Sequence, residues 1–303
     1  MIPAIRLPAA LQRHFNATMQ DFLCGQPSSR SEFAQPSREA ALLRPDSVSW
    51  RIFKNPISLF VGGTAAVILE LADPAVCAGV WEHSTFRKNP LGRLQRTGLA
   101  AMITVYGARS IAEPMIARVV RLHETVQGTT AAGVRYSATD PRLLTWVHAT
   151  AAFGFAEAYH RYVKPLSEAE FSRLYREGEP IARLYGAVQT PHSTAQMRAL
   201  FESAASNLAP SPVIFEFLKI MRETIAFPRP IGWMQSMLVG AAVELIPGWM
   251  RERLGLSERF GTRPYERLVA RLAGASADRI VLPASPAVQS CQRLGLPTNY
   301  LYH

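Results

Sequence analysis

His148 stands in the middle of a long apolar helical pattern, TDPRLLTWVHATAAFGFAEAYHRYV, from Thr139 to Val163. At 3.6 residues per turn, Leu144, Thr145, Ala151, Ala152, Phe155 and Tyr159 fall on the same face as the imidazole. Two alanines one turn further on leave flat space beside the ring. A planar macrocycle would need that space, and so would a closely packed neighbouring helix. A neutral imidazole there can act as a ligand or a proton carrier, or be a core residue whose nitrogens meet a carbonyl and a hydroxyl. The residues of this stretch leave these readings open.

A second constellation lies in PLGRLQRTGLAAMITVYG, residues 90–107. Arg93, Arg96 or Thr97, then Ala100, Ala101 and Thr104 share one helical face, polar at its start and small or apolar beyond. Such a row sets a guanidinium and a hydroxyl over a buried pocket, or lets an arginine snorkel from a helix start. The other histidines, His14, His83, His123, His160, His192 and His303, form no HExxH pair. No GxSxG, P-loop or dinucleotide fingerprint is present either.

These side chains need helices to position them, and the chain is written in helices. Thr139-Asp140-Pro141 is a helix start, with a capping oxygen and a proline where no backbone N–H is required. Ser167 and Glu170 read as a capping box opening a helix to Tyr185, with a kink possible at Gly178-Glu-Pro180. Further helices are expected over Ile57–Ala72, Ala75–Glu82, Arg93–Tyr106, Ala108–His123 with a break near Glu113, Ser193–Leu208, Val213–Ile225, Ile231–Leu245, Trp249–Leu254 and Tyr265–Leu272. Gly128–Tyr136 reads as a loop, and Val134–Ser137 and Arg279–Leu282 are the only strand candidates. Phe227–Pro230 reads as a rigid joint. The fold class expected is all-α, a globin-like bundle of about ten helices.

Of 303 residues, 48% are hydrophobic and 18% charged, enough for a real core and against disorder except at the ends. Residues 1–45 read as an arm and linker, with a short helix over Pro8–Phe22. Residues 46–275 read as the folded domain and 276–303 as an irregular tail. The net charge of +10 is spread along the chain without a basic run. It favours cofactor carboxylates or contact with a membrane surface over nucleic acid. Cys24, Cys77 and Cys291 show no zinc spacing, and the N-terminus lacks a signal peptide's apolar core, so a cytoplasmic location is expected. Ile57–Ala72 and Ile231–Trp249 are apolar but fall short of a membrane span.

Taken together, several motifs resemble a family of helical haem-dependent oxygenases that includes the latex clearing proteins (rubber oxygenases) and the MpaB-type oxygenases. The opening SVSWRIFKNPISLFVGGTAAVILELADPAVCAGVWEHSTF (47–86) is similar to that family's. So are Arg93-Leu-Gln-Arg96-Thr97, the HETVQG of His123–Gly128, the YSATDPRLLTWVH ending at His148, and LIPGWMR at Leu245–Arg251. The likeness covers about residues 46–256. It implies a haem b enclosed in the bundle, with His148 as iron ligand and Arg93 and Thr97 near the opposite face. It also implies dioxygen as co-substrate and oxidation or cleavage of a C=C bond in an apolar, isoprenoid or lipid-like substrate. Arg93, Arg96 and Thr97 are then the catalytic candidates.

Two departures matter. Arg96 stands where rubber oxygenases carry a lysine able to close the sixth iron position, and an arginine stays protonated and cannot ligate. Cys77 stands at the distance where those enzymes place a glutamate base, with Glu70 and Glu82 the nearest acids. A small intracellular alkene or lipid is therefore expected rather than a polymer. The alternative is a non-catalytic helical protein that binds haem or a membrane surface.

Overall fold

A computed structural model describes residues 33–302 apart from 225 and 228–230, together with Ala4, Ile5, Pro8, Gln12, Arg13 and Asn16 of the arm. Cys24, His14, His303, most of the helix expected over Pro8–Phe22 and three residues of the Phe227–Pro230 joint lie outside the described residues. Among the described residues the fold is all-α apart from one small hairpin and two isolated bridges. The helices from residue 33 onward are α1 Val48–Phe53, α2 Pro56–Glu70, α3 Pro74–His83, α4 Pro90–Tyr106, α5 Arg109–Glu124, α6 Pro141–Tyr162, α7 Glu168–Leu184, α8 Thr194–Ala204, α9 Pro212–Glu223, α10 Gln235–Leu245, α11 Gly248–Arg253, α12 Pro264–Ala277 and α13 Pro286–Arg293.

The central pair is α2 and α6. Each begins the same way: a side-chain cap accepts the first free N–H groups and a proline occupies the first helical position. The Asn55 carboxamide oxygen accepts from Ile57 N and Ser58 N at 3.1 Å each. The Asp140 carboxylate accepts from Arg142 N at 2.8 Å. The two helices run antiparallel, and glycine lets their backbones touch. A Cβ placed on Gly62 would lie 2.7 Å from the Gly154 carbonyl oxygen. One end of the pair is fixed by the Trp146 indole, which donates to the Leu69 carbonyl at 3.1 Å. Around it lies a core containing Ile68, Leu69, Leu143, Trp146, Phe171, Tyr175, Phe201 and Phe217, all buried. Burial of each such aliphatic or aromatic side chain contributes roughly 1.5–3 kcal/mol.

Ser167 and Glu170 form the expected capping box at the start of α7. Several expectations need correction. The break near Glu113 is absent: α5 is continuous through Pro114. Pro114 lacks only the N–H that would reach the Ser110 carbonyl, and both residues are exposed, so water can serve that carbonyl. Helix α7 likewise runs on through Gly178-Glu-Pro180. The loop over Gly128–Tyr136 contains paired strands, β1 Gln127–Thr129 and β2 Arg135–Ser137, antiparallel with Gly128 opposite Tyr136. Within Arg279–Leu282 only Ile280 pairs, in an isolated bridge to Ile5.

The stretch expected to be an irregular tail carries α13, seated in a second core cluster through Ala287 and Cys291. Arg293 is buried there and donates to the carbonyls of Phe33 (2.8 Å), Glu39 (3.0 Å) and Tyr106 (2.7 Å). It thereby ties both the C-terminal stretch and the end of the presumed linker to α4. No single described helix is long and apolar enough to cross a membrane; α2 and α3 would qualify only together, and they are bent by 112°.

Candidate active site

The site grows out of the α2–α6 pair. On one side of their crossing, Gly63 faces Phe155, with a built Cβ 3.7 Å from the phenyl ring. Two helical turns from that contact lie Glu70 on α2 and His148 on α6. Gly63, Val67 and Glu70 recur at i, i+4 and i+7 and are all half-buried, while the rest of α2 from Gly62 to Leu69 is buried. On α6 the half-buried positions are Leu144, Val147, His148, Ala151, Ala152, Phe153, Phe155, Glu157 and His160. Val67, Val147, Ala152 and Phe155 of these stripes pack against the edge of the main core. Thr145 and Tyr159, expected on the His148 face, are engaged elsewhere. The Thr145 hydroxyl donates to the Val188 carbonyl at 2.6 Å, and Tyr159 Oη donates to Asp278 at 3.3 Å.

Neither ring nitrogen of His148 has a hydrogen-bond partner among the described residues. The reading in which a carbonyl and a hydroxyl satisfy the ring is therefore not what is found. Desolvation pulls its imidazole down to about 4, so the ring is neutral at physiological pH. On its flank lies α7. A Cβ on Gly178 would stand 3.5 Å from both Cε1 and Nε2 of His148. Glycine there keeps the space beside the imidazole free of a side chain.

Glu70 is the acid that shares this region with an arginine. Burial pushes its carboxyl up to about 7, against the opposing pull of the Arg93 guanidinium. The same desolvation lowers Arg93, offset by Glu70 and reinforced by Arg96. No direct ion pair joins Glu70 and Arg93; the interaction is through space. His123 on α5 completes the group. Burial, then the charge of Arg93, hold its imidazole below the ordinary value, and its Nδ1 is buried without a partner. Glu70 and His148 are both driven toward their uncharged forms, the signature of surroundings that solvate charge poorly.

The other expected residues separate. Thr97 is exposed, and its hydroxyl donates to the Arg93 carbonyl at 2.9 Å. Arg96 is also exposed, with its guanidinium on the Thr85 hydroxyl at 2.6 Å. Cys77 is buried in the main core, 3.7 Å from the Ser211 hydroxyl, and desolvation raises its thiol. Glu82 is exposed and accepts from Tyr136 Oη at 3.4 Å. The sequence-level ambiguity between Glu70 and Glu82 thus resolves in favour of Glu70 as the neighbour of Arg93. His123 was visible only within a motif, and Gly178 only as a helix breaker.

Among the described residues no group of three His, Cys, Asp or Glu side chains could hold a bare metal ion. His148 alone would offer a metal a single protein ligand. A metal on it must arrive with most of its coordination already filled, as in a macrocycle. A neutral, unpartnered imidazole with alanine neighbours, met on its flank by a residue without a side chain, fits that requirement.

A family model described as "ER-bound oxygenase mpaB/B'/Rubber oxygenase, catalytic domain" matches residues 50–277. Two curated relatives are uncharacterized proteins, one of Mycobacterium bovis (strain ATCC BAA-935 / AF2122/97) and one of Mycobacterium tuberculosis (strain ATCC 25618 / H37Rv). Each is 30% identical over 131 residues, covering 42% of this chain. The match spans about half the length of each of those relatives, 50%. No solved structure matches.

Proposed function

The chain belongs to the mpaB and rubber oxygenase catalytic-domain family, and from that premise we propose that it is a haem b-dependent oxygenase. Its substrate would be a small apolar molecule with a C=C bond, isoprenoid or lipid-like, oxidised or cleaved with dioxygen. The observation that carries the reading is His148: neutral, without a hydrogen-bond partner on either nitrogen, and flanked by Gly178 at 3.5 Å. When bound, haem b supplies an iron centre able to activate dioxygen.

The remaining roles follow from the residues. His148 holds the cofactor through a ring nitrogen. The half-buried Gly63, Val67, Ala151, Ala152 and Phe155 would offer an apolar chain small and apolar contacts. Arg93 keeps its positive charge in a poorly solvating place. It pairs with a haem propionate or steadies negative charge on a reacting oxygen. Glu70, near half-ionised at neutral pH, is the group able to take or return a proton there. Thr97 lies one turn beyond Arg93 on the same face. Arg96 stays protonated and would not serve as a ligand to the iron.

The test is spectroscopic first. Protein expressed with adequate haem should show a Soret band, and His148→Ala should lose it while keeping its helical circular dichroism. Colourless wild-type protein that takes up no haem on reconstitution overturns the proposal. A haem-loaded protein that consumes no oxygen with unsaturated terpenoids or lipids leaves haem binding in place and removes the oxygenase assignment.

A further inference from the structure

The outer side of α12 carries an apolar stripe that nothing covers among the described residues. Tyr265, Leu268 and Leu272 recur at i, i+3 and i+7 and are 57%, 59% and 59% exposed. The opposite side, Ala270 and Gly274, is buried. Its rotation is fixed by close approach: a Cβ on Gly274 would stand only 2.2 Å from the Tyr162 carbonyl oxygen. The helix therefore cannot roll to hide its leucines. Trp233, 67% exposed, rises from the same region. Its neighbours Ile231 and Met234 pack into the core cluster that also takes Val269 and Ala273 of α12.

The charge around this stripe is one-sided. Arg271 is exposed and reaches the Arg161 carbonyl at 3.2 Å. Arg161 and Lys164, both exposed, lie at the end of α6 beside Gly274. Arg263 is exposed at the start of α12. The acids nearby are engaged: Glu244 is buried against Arg267 at 2.9 Å, Asp278 is held by Lys54 at 2.7 Å, and Glu266 accepts from Arg263 N. Arg161 donates to the Glu244 carbonyl at 2.9 Å, so Arg161 and Arg271 bond backbone carbonyls and no carboxylate, and their charge stays unneutralised. Aromatic and leucine side chains rimmed by exposed arginine and lysine make up the composition of a helix that lies in a bilayer interface.

We propose that the outer face of α12, with Trp233, docks on the surface of an anionic lipid bilayer. Leu268, Leu272 and Trp233 enter the boundary between headgroups and acyl chains, and Arg271, Arg161 and Lys164 meet lipid phosphates. The proposal is independent of haem binding. It provides a place where an apolar ligand dissolved in the membrane can be met.

The test is co-sedimentation of the full chain with phosphatidylglycerol–phosphatidylcholine vesicles and with phosphatidylcholine vesicles alone. Expected are binding to the anionic vesicles, weakening with salt, and a loss of about tenfold or more in Leu268→Asp/Leu272→Asp. Arg271→Glu should abolish the preference for anionic lipid. Because a variant can fail for other reasons, the unmodified protein supplies a second readout. Brominated lipid should quench its tryptophan emission, and Trp233→Phe should remove most of that quenching. Absence of vesicle binding by the wild type, undiminished binding by the double aspartate variant, or an unquenched wild type overturns the proposal. So does a dimer that the same double variant dissociates, since the face would then belong to a second copy.

Discussion

Gly62 and Gly154 hold the α2 and α6 backbones in direct contact. A Cβ on Gly62 would lie 2.7 Å from the Gly154 carbonyl oxygen, and one on Gly154 2.4 Å from the Gly62 carbonyl oxygen. This contact sets the register of the two helices, and with it the level at which Glu70 and His148 stand along the pair. Gly154→Ala must force the pair apart, at an expected loss of about 1–3 kcal/mol, read as a lower thermal midpoint and weaker haem retention. Gly63→Ala is the control. Its Cβ would meet only the Phe155 ring at 3.7 Å, and the gain in helix propensity, about 0.5–1 kcal/mol, should leave the protein as stable or slightly more so.

Gly178 gives a graded test of the space beside His148. A methyl group there would sit at ordinary contact distance, 3.5 Å from the ring. Gly178→Ala should therefore keep haem uptake, and Gly178→Leu should fill the flank and abolish it. Haem titration of the apo protein, followed by the Soret absorbance, checks both. Circular dichroism should be unchanged, because α7 continues through this position and alanine or leucine favours helix over glycine.

Much of the frame was legible because helix starts are chemical signals. Asn55-Pro56, Asp140-Pro141 and the Ser167–Glu170 box each announce a terminus that α2, α6 and α7 adopt. The hairpin was half legible: the strand candidate Val134–Ser137 is β2, whereas the three residues of β1 are too few for alternation to show. Not legible was α13, where the buried residues include Ser290 and Arg293. Their partners are carbonyls such as those of Phe33 and Tyr106, far away in sequence. His148 and Arg93 stood out by type and spacing. Glu70 was visible as an acid in an apolar helix, but which way it faces depends on the Gly62–Gly154 register. Arg96 was named from its motif and its helix face; its contact with Thr85 comes from the α3–α4 connection, which a helical wheel does not contain.

The pH dependence of the haem-free protein should reveal two opposed groups. Glu70 has an ordinary value of 4.5 and a folded value of about 7. The folded state holds its proton longer, so this group's contribution to stability is complete below 4.5 and is lost as pH rises to about 7. His148 has an ordinary value of 6.5 and a folded value of about 4. There the unfolded state binds the extra proton, so stability is complete above 6.5 and falls as pH drops toward 4. Each slope is at most about 1.4 kcal/mol per pH unit, and between 4.5 and 6.5 they oppose. Glu70→Gln should leave a stability that rises with pH across that interval, and His148→Ala one that falls. Urea midpoints measured at several pH values separate the two.

Lys54 and Asp278 offer a test of what holds the domain together away from the site. Lys54 follows α1 and its side chain is 2% exposed; its Nζ lies 2.7 Å from Asp278 Oδ1, just after α12. Asp278 also accepts from Tyr159 Oη at 3.3 Å and lies 3.4 Å from the Asn55 carboxamide nitrogen. One carboxylate therefore joins the α1–α2 corner, α6 and the end of α12. Burial lowers the Lys54 ammonium even with Asp278 beside it, so the lysine depends on that partner to remain charged. Asp278→Ala would leave a buried, unpaired cation, an expected loss of about 3–5 kcal/mol. Lys54→Met with Asp278→Asn removes both charges and should recover most of it. Because the pair is shielded from solvent, added salt should change the single variant's deficit little. A loss near zero for Asp278→Ala, or one that salt erases, would show that the carboxylate is not the joint it forms geometrically.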